Sequence, residues 1–300
     1  MKILGISAGR PMGNSEILLK NALKGAEAKG AEVEFIRLQD FKILPCKGCE
    51  LCVRMKVIEG KDSVCSIPAT TDQHVKYEEL VLGADGIVLA APCYNLTVAG
   101  RLLDALNRNH KILSQIKRIC AEKTKYAATI GIGGSDWTNY LMPILNFAAT
   151  EHCASQMRLV DQMLVENTPA NQAVVLNEEA LARAYKLGEN LAEAVEKDPG
   201  ADCYAGDMEE VCPICHNNHL ELRNGKWVCP TCNTHARVTE EDGKVKIEWL
   251  EGYDQCRWSE YGEKLHLDCI RNGHALLMEN KDKVDELTKE LKTYLTPIKP

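Results

Sequence analysis

The chain predicts an α/β protein: a five-stranded, parallel, doubly wound sheet over residues 1–200, a small β module over 201–255, and a helical segment over 256–300. Three observations carry this. Short apolar runs of strand length alternate five times with helical stretches, the pattern of a parallel sheet covered by helices. Two pairs of closely spaced cysteines then flank a turn dipeptide. Beyond them the apolar spacing returns to that of helices.

The elements follow in order. Residues 2–7 (KILGIS) form the first strand and run into a loop, SAGRPMGN. A helix is expected from Ser15 to Lys29, because Leu18, Leu19, Ala22, Leu23 and Ala26 share one face and Gly30 stops it. Residues 31–38 alternate as a second strand. After a cysteine-rich excursion, 84–92 (ADGIVLAAP) is a third, buried strand, with a helical stretch from Ala99 to about Ile116. KYAATIGIGG (125–134) is the fourth strand, a helix follows near 138–151, and MRLVDQMLV (157–165) is the fifth. Asn177 caps a helix carrying Ala180, Leu181, Ala184, Leu187, Leu191 and Val195 on one face. The stretch 197–210 is acidic, contains Pro and Gly, and reads as a linker. From 257 to 295 the chain is helical, with Val284, Leu287 and Leu291 in one stripe and its Glu and Lys residues on a solvated face.

At 300 residues, 45% hydrophobic and 26% charged, the chain has material for two domains. Lys plus Arg is 36 against 43 Asp plus Glu, a net charge of −7 that argues against nucleic acid and anionic membrane surfaces as partners. No run of 18 apolar residues exists, and the first residues lack a basic–apolar–cleavage pattern, so a cytoplasmic protein is expected. The anomaly is 14 cysteines. In a reducing compartment, clustered cysteines read as metal sites or redox groups. Cys93, Cys120, Cys153, Cys203, Cys256 and Cys269 stand singly, and by default are small buried hydrophobes.

In doubly wound sheets ligands sit beyond the carboxyl ends of the strands, where the strand order switches. The loops there are 8–14, 92–98 and 131–137. The first, with Gly9 and Gly13, opens a helix and offers backbone N–H groups and the helix dipole to an anion. Ser7, Asn14 and Ser15 are its candidate donors, and Arg10 its counter-charge. It lacks GxGxxG and GK[ST], which favours a monophosphate over a dinucleotide. Alone it also reads as a plain strand-to-helix turn, and the other two loops decide. Pro92, Cys93, Tyr94, Asn95, Leu96 and Thr97 place a proline, an aromatic and a polar turn after the third strand. Gly131, Gly133, Gly134 and Ser135 allow close backbone approach after the fourth. One phosphate loop between two loops able to sandwich a flat ring suits flavin mononucleotide (FMN).

KILGIS…GNSEILLKNALKGAEAKGAEVEFIRL, PCKGCELC and ADGIVLAAPCYNLTVAGRLLDALNR, in that order over residues 1–165, resemble the iron–sulfur flavoproteins within the flavodoxin-like NADPH-dependent FMN reductase family. The resemblance implies that Ser7, Arg10, Asn14 and Ser15 hold the FMN phosphate and that residues 92–97 and 131–135 cradle the isoalloxazine. It also implies a homo-oligomer, dimer or tetramer, with flavin near a subunit interface. The chain departs from the family in the first loop, which is a residue shorter, with Gly9 where serine is usual.

Cys46, Cys49 and Cys52 lie within seven residues, a spacing that wraps one corner of a 4Fe–4S cluster, and Cys65 is the expected fourth ligand with Cys93 in reserve. Zinc, or a purely structural loop, is the alternative there. Cys212, Cys215, Cys229 and Cys232 form two CPxC knuckles, with Asn224-Gly225 between them and Asp242-Gly243 after them as hairpin turns, the pattern of a zinc ribbon. A rubredoxin-like iron is the competitor. His216, His219 and His235 are expected at the solvated surface.

The expected function is an oxidoreductase. NAD(P)H or another low-potential donor would reduce FMN, and electrons would leave through the cluster or as hydride to a small-molecule acceptor. Tyr94, Asn95 and Trp137 are candidate ring neighbours, and no protein acid, base or nucleophile is assigned. The alternatives are an electron carrier working with ferredoxin-like partners, and a redox-sensing binding module that docks through its ribbon.

Overall fold

The computed structural model describes residues 1–108, 122–151, 157–208, 210–250, 252, 254 and 256–298. The expected helical stretch beyond residue 108, and Cys120 and Cys153, lie outside the described residues. Five parallel strands form the main sheet: β1 (Lys2–Ser7), β2 (Glu32–Arg37), β3 (Gly86–Tyr94), β5 (Lys125–Ile132) and β6 (Met157–Val165). Their order is β2-β1-β3-β5-β6, and the two-residue strand β4 (Thr97–Val98) turns back on β3. The chain winds to one side of β1 and then to the other, so the switch point lies between β1 and β3.

Register sets the site. Ser7 pairs with Arg37 on one side and Ala90 on the other, Pro92 pairs with Ile132, and Ile132 with Val165. The loops leaving β1, β3, β5 and β6 therefore emerge along one edge. All eight residues of β5 are buried, as a central parallel strand covered on both faces requires.

The first helix, Asn14–Ala28, and the long helix Glu178–Lys197 cover one face, burying Ile3, Leu18, Leu19, Val88 and Leu191. Asn177 caps the latter as expected, its Oδ1 accepting the Ala180 amide at 2.9 Å. On the other face the helices His74–Gly83, Gly100–Leu106 and Leu141–Glu151 bury Leu4, Ile6, Ile87, Leu89, Leu102 and Leu145.

The second sheet is antiparallel, β10-β9-β8-β7, from Glu221–Arg223 (β7), Lys226–Val228 (β8), His235–Glu241 (β9) and Lys244–Trp249 (β10). Both expected turns are present, with Asn224, Gly225, Asp242 and Gly243 all at positive φ. The stretch 197–210 is not a free linker. Cys203 is buried in the core of the first sheet, and the Ala205 amide bonds to the Val160 carbonyl at 2.7 Å, so this segment lies against the edge strand β6. Nor is His216 at the surface: it is 8% exposed, its ring stacked on Tyr204 with centroids 4.0 Å apart. Burial pushes its pKa down to about 4.

Ser259 caps the helix Glu260–Glu279, and Lys281–Lys289 and Leu291–Tyr294 follow it. These three helices bury no residue, leaving Leu265, Leu276, Leu277, Leu287 and Leu291 exposed. No described helix is long and apolar enough to cross a membrane. Of the single cysteines, Cys203 and Cys256 are buried as expected, Cys93 is half-buried and Cys269 is exposed.

Candidate functional site

A cleft of about 190 Å³ opens at the carboxyl edge of the sheet. Nine of the expected residues line it: Arg10, Gly13, Asn14, Ser15, Pro92, Cys93, Tyr94, Gly133 and Gly134. Gly9 lies directly behind, where an added Cβ would overlap the Ser15 Oγ. Asn95, Leu96, Thr97, Gly131 and Ser135 are on the same loops but outside the lining. Ser7 is fully buried at the end of β1, and its hydroxyl has no partner among the described residues. The Thr97 hydroxyl is likewise buried and unpartnered. Unsatisfied buried hydroxyls are costly, and two beside one cleft fit a polar ligand.

Asn14 has a different task from the expected one. Its side-chain amide donates to the Thr168 and Ala170 carbonyls at 3.2 and 2.8 Å, and its Oδ1 accepts the Val174 amide at 3.3 Å. It ties the loop after β6 to the start of the first helix, leaving its backbone N–H for an anion. That loop, with Thr168, Pro169 and Asn171 in the cleft wall, was not among the expected site residues. Its turn-rich composition after the fifth strand (NTPAN) was the available signal.

Glu16 was also missed. Fully buried in the first helical turn, it accepts two hydrogen bonds from Arg37 on β2, at 2.7 and 2.8 Å, and pairs with Lys20 at 2.9 Å. The Arg37 bonds, helped by Lys20 and the Met12 amide, hold its pKa at about 2. Met12 is the left-handed residue of the first loop (φ 50°), so Glu16 fixes the curl of that loop from below.

The two outer loops are pinned together. The Cys93 thiol donates to the Trp137 carbonyl at 3.1 Å, and the Tyr140 amide to the Leu96 carbonyl at 2.9 Å. Tyr94, Trp137 and Tyr140 are exposed on these loops, Trp137 most of all at 72%. Burial raises the Cys93 pKa, which suppresses the thiolate. This cysteine belongs to the cleft, and its thiol's hydrogen bond goes to the Trp137 carbonyl.

The two cysteine clusters differ in geometry. Cys212, Cys215, Cys229 and Cys232 are all buried, with their sulfurs within 4.8 Å of one another. Cys212 and Cys232 sulfurs lie 3.4 Å apart, and those of Cys215 and Cys229 3.3 Å. Sulfurs at 2.3 Å from one tetrahedral ion would be about 3.8 Å apart, so this set has single-ion size. Cys46, Cys49, Cys52 and Cys65 are not gathered so tightly, and the first two are exposed. Their loop is nevertheless ordered around the thiols. The Gly48 and Ile67 amides each donate to a sulfur, Cys46 and Cys65, at 3.4 Å. Ser66 Oγ lies 3.0 Å from the Cys49 sulfur, and Ser63 donates to the Cys52 carbonyl at 2.9 Å, so residues flanking Cys65 contact both. The loop thus aims backbone N–H groups at two of its four sulfurs, as the surroundings of thiolate ligands do.

A phosphate-sized loop at a helix N-terminus, at the switch point of a flavodoxin-like sheet, defines a flavoprotein-type site. The chain belongs to the NADPH-dependent FMN reductase family, whose model matches residues 1–167, and it is an oxidoreductase. It is similar along its length to the flavone synthase cfoJ of Aspergillus candidus, 27% identical over 299 residues, 91% of this chain and 90% of that one. An iron-sulfur flavoprotein of Methanocaldococcus jannaschii is 36% identical over 113 residues, 37% of this chain and 53% of that one. The solved structure of a flavone reductase superposes with a TM-score of 0.78 at 25% identity, covering 100% of both chains.

Proposed function

We propose that the cleft holds one FMN and that the enzyme exchanges a hydride between it and a small, planar, conjugated ketone of the flavone class. The observation that carries the FMN reading is the convergence of four strand-end loops on one cleft beside the orphaned Ser7 hydroxyl. Ser7 and the N–H groups at residues 13–15 would receive the phosphate, with Arg10 as counter-charge. Gly133 and Gly134 would let the backbone approach the ring, and Thr97 would meet its polar edge. FMN, when bound, supplies reversible hydride exchange as well as single-electron steps. Tyr94 and Trp137, pinned on neighbouring loops, would cover a flat substrate and exclude water. The substrate class rests on the full-length likeness to a flavone synthase and a flavone reductase, which extends through the ribbon and terminal helices. We read both names as hydride exchange at a double bond conjugated to a carbonyl. The test is anaerobic. Extracted cofactor should be FMN, NAD(P)H should reduce it, and a flavone should reoxidise it. FAD, or no flavin, would refute the site; reduced protein that ignores flavones would refute the substrate class alone.

A second reading concerns the 46–65 loop. Its amide-to-sulfur bonds support a 4Fe–4S cluster on Cys46, Cys49, Cys52 and Cys65, passing electrons singly to a ferredoxin-like partner. Zinc in the buried knuckles would then be purely structural, since it has no redox change. Iron and labile sulfide in anaerobically purified protein are expected; zinc at both cysteine sets, with no sulfide, would overturn this reading. The expected homo-oligomer has its candidate surface on the exposed leucines of the terminal helices.

A further inference from the structure

At the base of the cysteine loop lies a buried ion pair that the flavin site does not use. Asp72, fully buried at its side chain, accepts the Leu44 amide at 3.0 Å. Arg108, 1% exposed at its side chain, pairs with Asp72 through both terminal nitrogens. One of these, Nη1, also donates to the Leu44 carbonyl at 3.2 Å; the other, Nη2, reaches the Cys65 sulfur at 3.7 Å. Leu44 is two residues before Cys46, so one guanidinium grips the outgoing limb of the loop and the returning thiol together. A buried ion pair costs desolvation that its own attraction barely repays, which makes a positioning role the physical reason for having one here.

The intervening chain is compatible with that grip. Residues 51–58 coil into a short helix and a π-turn, and the Lys61 amide bonds back to the Met55 carbonyl at 2.9 Å. The long gap before Cys65 is thereby folded up rather than extended, and Cys65 returns to the other thiols. Only a planar fork serves Asp72, Leu44 and Cys65 at once; a lysine ammonium lacks that geometry.

We propose that Arg108 is the positioning residue of the cysteine-loop centre: it holds Cys65 as the fourth ligand and, by hydrogen bonding to that sulfur, keeps the midpoint potential of the cluster higher than it would otherwise be. This rests on the iron–sulfur reading of the loop. Hydrogen bonds to ligand sulfur withdraw charge from the cluster and favour its reduced form.

The experiment compares anaerobically purified wild type, Arg108→Lys and the double variant Asp72→Asn/Arg108→Gln, which removes both charges together. Extracted FMN reports that the sheet domain is folded; iron, labile sulfide and the midpoint potential of the visible iron–sulfur signal report the loop. The double variant should keep FMN, retain iron about tenfold less tightly, and show a more negative potential in the cluster that remains. Arg108→Lys should fall between it and wild type. Wild-type iron and potential in the double variant would overturn the role of Arg108 while leaving the cluster standing. Wild type without iron and sulfide would overturn both. Should the double variant lose FMN, Arg108→Lys decides: lowered iron retention and potential support the proposal, and unchanged values refute it.

Discussion

Two single residues set the properties of the first loop, and each gives a measurable consequence. Glu16 has its pKa lowered from the ordinary 4.5 to about 2, first by Arg37. Because the folded value lies below the unfolded one, its stabilisation is complete above pH 4.5 and is lost as pH falls towards 2. Glu16→Gln should cost on the order of 3 kcal/mol at neutral pH and flatten the acid limb in that window, read by urea denaturation across pH. An acid limb parallel to wild type would show that the pair contributes nothing. Ser7 makes the opposite kind of prediction. Its hydroxyl is buried without a partner in the described structure, so Ser7→Ala should leave the apoprotein as stable or slightly more so. The same change should weaken FMN binding by about 10- to 100-fold, the loss of one hydrogen bond to a charged group. Titration of apoprotein with FMN reads this; unchanged affinity would remove Ser7 from the phosphate site.

Between elements, the tightest fit is that of the first helix on Glu178–Lys197. A Cβ on Gly188 would overlap the Ala22 carbonyl oxygen, and one on Gly25 the Tyr185 carbonyl oxygen, so these two backbones touch directly. Gly188→Ala should therefore destabilise by about 1–3 kcal/mol or more, although alanine is the better helix former. Gly273, in the terminal helix with nothing within 4 Å of an added Cβ, is the control; Gly273→Ala should be neutral or stabilising in the same thermal melts. Equal effects at both sites would mean the two helices can part without cost. This contact also marks what sequence could convey. The strand 157–165 was legible to the residue from its own run of strand-forming residues, and the Asn177 cap was legible from its side-chain chemistry. The loops of the cleft followed from topology, since parallel strands must release their carboxyl ends along one edge. A glycine inside a helix, by contrast, reads only as a weak position until its neighbour is known. The 197–210 segment misled for a related reason: its acidic, Pro- and Gly-containing composition reads as solvated, while Cys203 and Tyr204 find burial only in the assembled molecule.

At the scale of the molecule, a line of buried polar groups joins the central strand to the second cysteine knuckle. Thr129 on β5 donates to Asn146 at 2.6 Å, and the Asn146 amide donates to Gln162 on β6 at 2.7 Å and to Asn217 at 3.1 Å. Gln162 in turn donates to the His216 carbonyl and to the Tyr204 hydroxyl. Asn217 ends the line on Thr231, at 2.7 Å, between two of the four buried cysteines. Asn146 and Gln162 each keep one of these bonds only while the knuckles stay docked, and a lost buried hydrogen bond costs about 0.5–1.5 kcal/mol. The β module has too little apolar core to hold its own shape, so a metal on its four sulfurs is the natural source of that order. Removing the metal should then disturb more than the module. In Cys229→Ser, loss of the bound ion should free Asn217 and strip partners from Asn146 and Gln162, which stand on the helix and strand beside the cleft. The variant is expected to melt at lower temperature in one cooperative transition, with flavin released in the same step rather than retained by an independent sheet domain. Calorimetry with flavin fluorescence followed in parallel makes the distinction. Two separate transitions, the upper one carrying flavin at the wild-type temperature, would mean that the knuckles are an appendage and that the polar line ends at Gln162.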